Sequence, residues 1–498
     1  MKKYEAYKAR LSKIADIEYS LAVLGWDQET YMPEKGAEFR AQQISTLSGI
    51  CHDMSVDKEL GELLKKLHKN KGLNKKQGKN IEESYKDYKL SKKYTTEFVE
   101  LLSKTTSECF QAWQKAKKES NFKIFAPHFT KMVKLKRQEA EMIGYKKHPY
   151  NALLDQYEPG ANVVDLDILF KDVREQLVDF VKKIAAAKQN TDAFAHKHYN
   201  KGKQWNFGID LLKQMHFDFE AGRQDISIHP FTTSFNPHDV RVTTKIIENN
   251  LKSMIWSCIH EGGHGLYEQG LPIEQYGLPL GEAISLGIHE SQSRMWENNV
   301  GRGLAYWKAN YKKLQSYFPE NLKNVSLDEF YKGINLVKPS LIRIEADEVT
   351  YHFHILVRYE IEKALMAGDI KVDELPEFWN AHYKKYLGVQ AKSDAEGVLQ
   401  DIHWSHGSIG YFPTYSLGSF YAAQFFHQAS KDIKGLQQQI EKGNMLPLLK
   451  WLREKIHKHG KFYSAEELCK HVTGEKLNFK YFMNYAKDKY SVIYNLKK

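Results

Sequence analysis

Residues 257–270 read Ser-Cys-Ile-His-Glu-Gly-Gly-His-Gly-Leu-Tyr-Glu-Gln-Gly, inside a stretch whose apolar residues recur at helical spacing. Residues four apart on an α-helix share a face, one turn apart, so His260 and His264 project together. Glu261 points to a neighbouring face. A glycine in a helix interior costs about 1 kcal/mol relative to alanine, yet two stand between the histidines, at 262 and 263. Something at this site outweighs helix propensity. Lacking side chains, the two glycines let another segment, or further ligands, approach the helix closely.

His-Glu-x-x-His on a helix is the zincin arrangement: two imidazoles grip one metal ion and the glutamate holds and deprotonates a water. The bland alternative is a pair of exposed or core histidines. A metzincin would need Gly at 267 and His at 270, where this chain has Tyr267 and Gly270. In the gluzincin form a Glu from the next helix completes the set. The candidates are Glu282, Glu290 and Glu297, with His289 as an outsider. Glu290 lies mid-helix with Leu286 and Ser293 around it and can face inward, whereas Glu297 sits near a polar end. Spacing does not choose among them. Two His and one Glu leave a fourth zinc position open for water, the mark of a catalytic site. Zinc lowers the pKa of such a water to about 7 and polarises a carbonyl, so the reaction class is peptide-bond hydrolysis with Glu261 as base.

The rest of the chain predicts helix after helix over residues 1–200. Residues 206–244 alternate β-branched or aromatic with polar residues and predict two or three short strands. A long helix follows over about 243–268, with Ile247, Leu251, Met254, Ile255, Cys258 and Ile259 as its buried stripe, ended by Gly270 and Pro272. Further helices are predicted over 282–299 and 340–368. The fold class is mainly α, with a small β-sheet beside the His-Glu-x-x-His helix. At 498 residues the chain exceeds one compact core, which predicts two or three subdomains.

Four cysteines (Cys51, Cys109, Cys258 and Cys469) form no CxxC pair and are expected to be reduced thiols. The N-terminus has no signal-type apolar core, and no stretch is long and apolar enough to span a membrane, so a cytoplasmic protein without membrane contact is expected. The net charge of +11 raises nucleic-acid binding. The lysines are dispersed, however, and the densest run, residues 63–80, alternates with leucines as a solvated helix–turn–helix face does. No nucleic-acid partner is expected.

A carboxylate group on a peptide substrate is matched best by a planar Arg fork. Arg241 and Arg343 are the candidates. Arg343 has a bland alternative as an i,i+4 helix pair with Asp347, and Arg241 serves equally as a strand anchor.

Several motifs together resemble the Taq-type metallocarboxypeptidases, the thermostable carboxypeptidase 1 family. They are HPF at 229–231, DVRVT at 239–243, HEGGH at 260–264, HES at 289–291, IRIEAD at 342–347 and GVLQDIHW at 397–404, with WDQETYMP at 26–33 near the start. The resemblance covers about residues 1–498. It implies His260, His264 and Glu290 as zinc ligands, with cobalt able to substitute, and Glu261 as catalytic base. It implies metal-dependent release of C-terminal amino acids from peptides with a free C-terminus, broad in specificity and poor after proline. It implies a zincin-like helical peptidase with a deep groove, usually a homodimer, working as one integrated unit. On this reading residues 1–205 form one wall and residues 206–498 carry the catalytic elements. Arg343 becomes the preferred carboxylate site. The loops at His229 and at 400–404 would close one end of the groove. The stretch HWSHGSIGYFPTY resembles the region where related gluzincins place a His and Tyr pair over the scissile carbonyl. Tyr415, or Tyr411 in second place, would stabilise the oxyanion, and His403 or His406 would hold substrate backbone. Strands near 226–234 could pair with that backbone. The alternative within the same chemistry is a zinc endo-oligopeptidase cutting short peptides internally.

Overall fold

The computed structural model describes residues 2–496. Helices dominate, with a single three-stranded sheet among the described residues. The chain condenses into two compact units, each assembled from three stretches. The first comprises Met1–Lys92, Thr191–Ile334 and Tyr421–Leu477. The second comprises Lys93–Asn190, Asn335–Phe420 and Asn478–Lys498. A single cut at 205/206 therefore does not separate them. Apolar periodicity tells which face of a helix is buried, but not which distant helix covers it.

In the first unit the N-terminal helix Lys2–Thr30 buries Tyr4, Tyr7 and Ile14 against Leu60, Leu64 and Ile81. The lysine-rich run lies on two helices, Lys58–His68 and Lys75–Ser91. Leu60, Leu64 and Leu67 face inward while Lys65 and Lys66 are exposed. Asn74 and Gln77 cap the second of these helices reciprocally.

The sheet has order β1-β3-β2, from β1 (Gly222–Ile226), β2 (Thr232–Asn236) and β3 (Asp239–Thr244). β1 pairs parallel with β3, and β2 pairs antiparallel with β3. Residues 206–214, expected to begin the strand region, close the helix Lys201–Gln214 instead. In the parallel register Arg223 lies opposite Arg241. Both guanidinium groups pack on Trp26, at 5.3 and 4.3 Å from its ring, and this seats the WDQETYMP segment on the sheet.

The helix carrying the His-Glu-x-x-His motif runs Leu251–Glu268 and buries Leu251, Met254, Ile255, Cys258 and Ile259. It starts about eight residues later than the periodicity predicts. Thr243 and Thr244 complete β3, and Ile247 and Asn250 bridge a tight turn before the helix. The following helix, Leu286–Arg294, is capped by Ser285, whose Oγ accepts from the Ile288 amide at 3.1 Å. It then widens into a π-helical turn over Met295–Gly301.

In the second unit the predicted helix over 340–368 exists only as Tyr351–Ala367. Asp347 prevents an earlier start. Its carboxylate accepts from the amides of Lys338, Val349 and Thr350 and from the Thr350 hydroxyl, an arrangement that turns the chain rather than continuing a helix. Arg343, in a short 3-10 turn Arg343–Glu345, thus forms no i,i+4 pair with Asp347. Phe125, Phe129 and Trp404 stack in this unit's core at 5.2 and 5.4 Å.

Candidate metal centre

His260, His264 and Glu290 bring donor atoms within 4.8 Å of one another, the one such group of His, Cys, Asp or Glu among the described residues. Glu290 Oε2 lies 3.6 Å from His260 Nε2 and 3.3 Å from His264 Nε2. Ligands about 2.0–2.1 Å from a tetrahedral zinc stand about 3.3 Å apart, so the donor set fits such an ion. The imidazole rings are T-shaped to each other, 5.0 Å between centroids. Burial pushes His264 down to about 3, so at neutral pH its ring is uncharged and offers a lone pair. Arg294 and the two histidines outweigh burial and hold Glu290 well below the usual carboxylate range.

The glycines explain how Glu290 arrives. A Cβ on Gly263 would stand 2.7 Å from Ser293 Cα and 2.9 Å from the Gln292 carbonyl, both backbone atoms of the Glu290 helix. A Cβ on Gly262 would meet Leu212 at 2.6 Å, and one on Gly265 would meet Phe217 at 2.8 Å. The motif helix is therefore clasped on three sides, and only glycine at 263 permits the ligand helix to lie against it.

Each imidazole has its second nitrogen engaged. His260 Nδ1 lies 2.9 Å from Glu297 Oε2. Glu297 is buried and is held by Arg294 at 3.2 Å and Arg302 at 3.0 Å. His264 Nδ1 faces His289 Nδ1 at 2.5 Å, and His289 Nε2 lies 2.6 Å from Glu268 Oε1. Such outer partners orient metal-binding histidines. Four carboxylates (Glu261, Glu268, Glu290 and Glu297) thus surround the donors against two guanidinium groups, an imbalance that suits a divalent cation.

Glu261 is buried beside the donors, and the Thr232 hydroxyl of β2 donates to its Oε2 at 2.7 Å. Burial raises its carboxyl above the ordinary value, with His260 and Thr232 opposing. A raised carboxyl is what a general base near neutrality needs.

A second polar cluster lies in the other unit. Arg343 Nε donates to Asp401 at 2.9 Å, and its Nη1 donates to the Tyr351 hydroxyl at 3.0 Å. Arg358, fully buried, reaches Asp401 at 2.5 Å, Gln400 at 2.9 Å and Tyr383 at 3.0 Å. Two guanidinium charges against one carboxylate leave a surplus positive charge. Tyr415 lies under Arg343, 5.0 Å from guanidinium to ring. His403 Nε2 is 3.1 Å from the Tyr415 hydroxyl, and Tyr411 packs on both rings. Burial pushes His403 down to about 3. His406 is exposed and rests on Phe110. In the first unit His229 is exposed on the loop between β1 and β2. Arg241 is bonded twice to Asp239, at 3.0 Å each, and packs on Trp26 and Phe235, the surroundings of a strand anchor.

The sequence reading weighed Glu297 only as a ligand, and passed over Glu268, Thr232, Arg358 and Asp401. Glu297 had a signal, because it shares a helical face with Glu290, and Arg294 and Arg302 flank it. Glu268 and Thr232 carried none, since their partners come from other elements.

The sequence pattern of the family described as "Carboxypeptidase Taq (M32) metallopeptidase" matches residues 6–490. Carboxypeptidase 1 of Bacillus subtilis is 39% identical over 492 residues, covering 98% of this chain and 97% of its own. A solved structure described as "The Structure of CHT" superposes with a TM-score of 0.97 at 57% identity, covering 98% of this chain and 99% of its own. The M32 carboxypeptidase of Deinococcus radiodurans superposes with a TM-score of 0.98 at 34% identity, covering 99% of this chain and all of its own.

Proposed function

The chain belongs to the carboxypeptidase Taq (M32) metallopeptidase family and is a metal-dependent carboxypeptidase, and from that premise we propose that it releases C-terminal amino acids by hydrolysis at a zinc ion held by His260, His264 and Glu290. The observation that supports this reading most directly is the convergence of those three donors with Glu261 one residue from the first. The ion, when bound, polarises the scissile carbonyl and acidifies a water. Thr232 holds Glu261 by a hydrogen bond to Oε2, and the Glu261 carboxylate takes the water's proton and passes it to the leaving amine. The Tyr415 hydroxyl, aimed by His403, donates to the oxyanion. Arg343 takes the substrate's terminal carboxylate. No hydrogen bond from its Nη2 forms among the described residues, which leaves a donor for that oxygen. His403 holds substrate backbone, with His229, His406 and Tyr411 as flanking candidates. Arg241, bonded to Asp239, stays a strand anchor.

The reading includes broad side-chain tolerance, poor action after proline, and activity with cobalt in place of zinc. It also includes a homodimer, which light scattering checks, and a cytoplasmic location. Two measurements test the core of it. A peptide amidated at its C-terminus should resist cleavage that the free acid undergoes; equal cleavage would point to an endo-oligopeptidase. Glu261→Gln should keep its metal and lose roughly 10²–10⁴ in kcat. Retained hydrolysis would refute the assigned base.

A further inference from the structure

We propose that Glu362 is a positioning residue for the oxyanion donor: it grips both ends of the segment 404–410 and so fixes where His403 and Tyr415 stand. This rests on the reading of Tyr415 above and adds to it a residue buried in the core of the second unit.

Glu362 is fully buried on the helix Tyr351–Ala367. Three neutral donors converge on its carboxyl group. Trp404 Nε1 donates to Oε1 at 2.9 Å, the Gly410 amide donates to Oε2 at 2.9 Å, and the Tyr150 hydroxyl donates to Oε2 at 2.5 Å. Both oxygens accept. A glutamine would offer one acceptor oxygen and turn its NH2 toward a donor, so a carboxyl group satisfies all three where an amide cannot. Burial pushes Glu362 up to about 7, with the three donors and Arg358 opposing. The group is therefore kept here against a desolvation cost that an apolar filler would avoid.

Two of the donors flank residues of the catalytic reading. Trp404 follows His403, and Gly410 precedes Tyr411. Trp404 also stacks on Phe129 at 5.4 Å. Gly410 has a φ of +105°, and a Cβ there would stand 2.8 Å from the Leu153 carbonyl oxygen. Its amide is thus pressed onto the helix Tyr150–Tyr157, where only glycine fits. Just beyond, the chain enters the helix Pro413–Asp432, whose first turn carries Tyr415. The Tyr415 hydroxyl lies 3.1 Å from His403 Nε2, so both ends of the held segment meet again at that bond. The Glu362 helix serves this region along its length. Residues 351, 354, 358 and 362 share one face. Tyr351 accepts from Arg343, His354 pairs with Tyr383, Arg358 holds Asp401 and Gln400, and Glu362 holds the segment that follows them.

The test is a double-mutant cycle on hydrolysis of a peptide with a free C-terminus. Glu362→Gln keeps the volume and sets donor against donor. It should lower kcat roughly 10–100-fold, the scale of a displaced catalytic group, with KM and the zinc dissociation constant within about threefold of wild type. In a Tyr415→Phe background the same change should cost less than about threefold, because the hydroxyl it positions is already gone. Full, multiplicative losses in the double variant overturn the proposal, as does a kcat of Glu362→Gln within twofold of wild type. If circular dichroism shows Glu362→Gln unfolded, Trp404→Phe decides. It keeps a ring on Phe129 and removes the Oε1 donor, and should lower kcat more than Tyr150→Phe, whose lost hydroxyl lies outside the segment. Equal effects of these two overturn the proposal. Tyr415→Phe with the kcat of wild type would sink the oxyanion reading and the proposal with it. An impaired Tyr415→Phe beside an unimpaired Glu362→Gln sinks the proposal alone, so the two failures are told apart.

Discussion

In the first unit, His260 and His264 keep Nε2 turned toward a shared carboxylate, and their other nitrogens are engaged from behind. In the second unit, Arg343 and Arg358 have most of their donors committed to Asp401, Gln400 and the phenols of Tyr351 and Tyr383. Both clusters are buried and rich in charge, yet their chemistry is opposite. The first presents lone pairs and an excess of carboxylates, the environment of a cation. The second presents rigidly held guanidinium planes with one positive charge beyond what Asp401 balances, the environment of a carboxylate. Composition alone would not separate them. What separates them is which atoms are left without an internal partner.

That contrast can be tested from either side. Tyr415→Phe, in the second unit, should lower kcat by roughly 10²-fold, as loss of an oxyanion donor does, and leave the zinc dissociation constant unchanged. A shift in zinc affinity would erase the division of labour. Arg343→Ala should lower kcat/KM by roughly 10–100-fold, chiefly through KM, which corresponds to loss of a charge-assisted bond of about 1.5–3 kcal/mol. Arg343→Lys should not restore it, because an ammonium lacks the planar fork.

Gly263→Ala attacks the first unit alone. Its Cβ meets the backbone of Ser293 and Gln292, so the Glu290 helix must shift. The change should lower stability by about 1–3 kcal/mol and weaken zinc binding. Gly49→Ala is the control. It lies inside the helix Ala37–Ser55 with nothing within 4 Å of the added methyl, and should raise stability by about 0.5–1 kcal/mol. A further effect concerns acid. His403 is depressed from its ordinary value to about 3 by burial. Its neutral form contributes stability that is fully present above about pH 6.5 and is lost as pH falls toward 3. Between pH 7 and 5 the melting temperature of wild type should fall more than that of His403→Gln.

The pairing of His260 with His264 was legible from helical spacing, whereas spacing left Glu282, Glu290 and Glu297 open and only the family resemblance pointed to Glu290. The purpose of the two glycines was legible in outline, but not that Ser293 is what approaches. Glu297 was set aside for its polar neighbours Asn298 and Asn299, and these turn out to be buried with it in the π-helical turn. Arg343 was drawn into a helix because apolar periodicity runs from residue 340 onward, while the carboxylate of Asp347, binding three backbone amides, breaks that helix. Its true partner, Asp401, is 58 residues away. Long-range pairs of this kind leave no periodic trace. Length suggested more than one unit, but their bounds were invisible for the same reason, since each is stitched from three stretches separated in sequence by the stretches of the other.

The π-helical turn Met295–Gly301 accommodates more residues per turn than the helix it continues. Deleting Met295 or Trp296 would let the segment relax into an ordinary helix and swing Glu297 by about 100° around the axis, away from His260. Substitutions at most of these seven positions keep the count and hence the aim. The segment is therefore a place where tolerance to change depends on length before identity: an insertion or deletion should disarm the enzyme where a conservative replacement leaves it working.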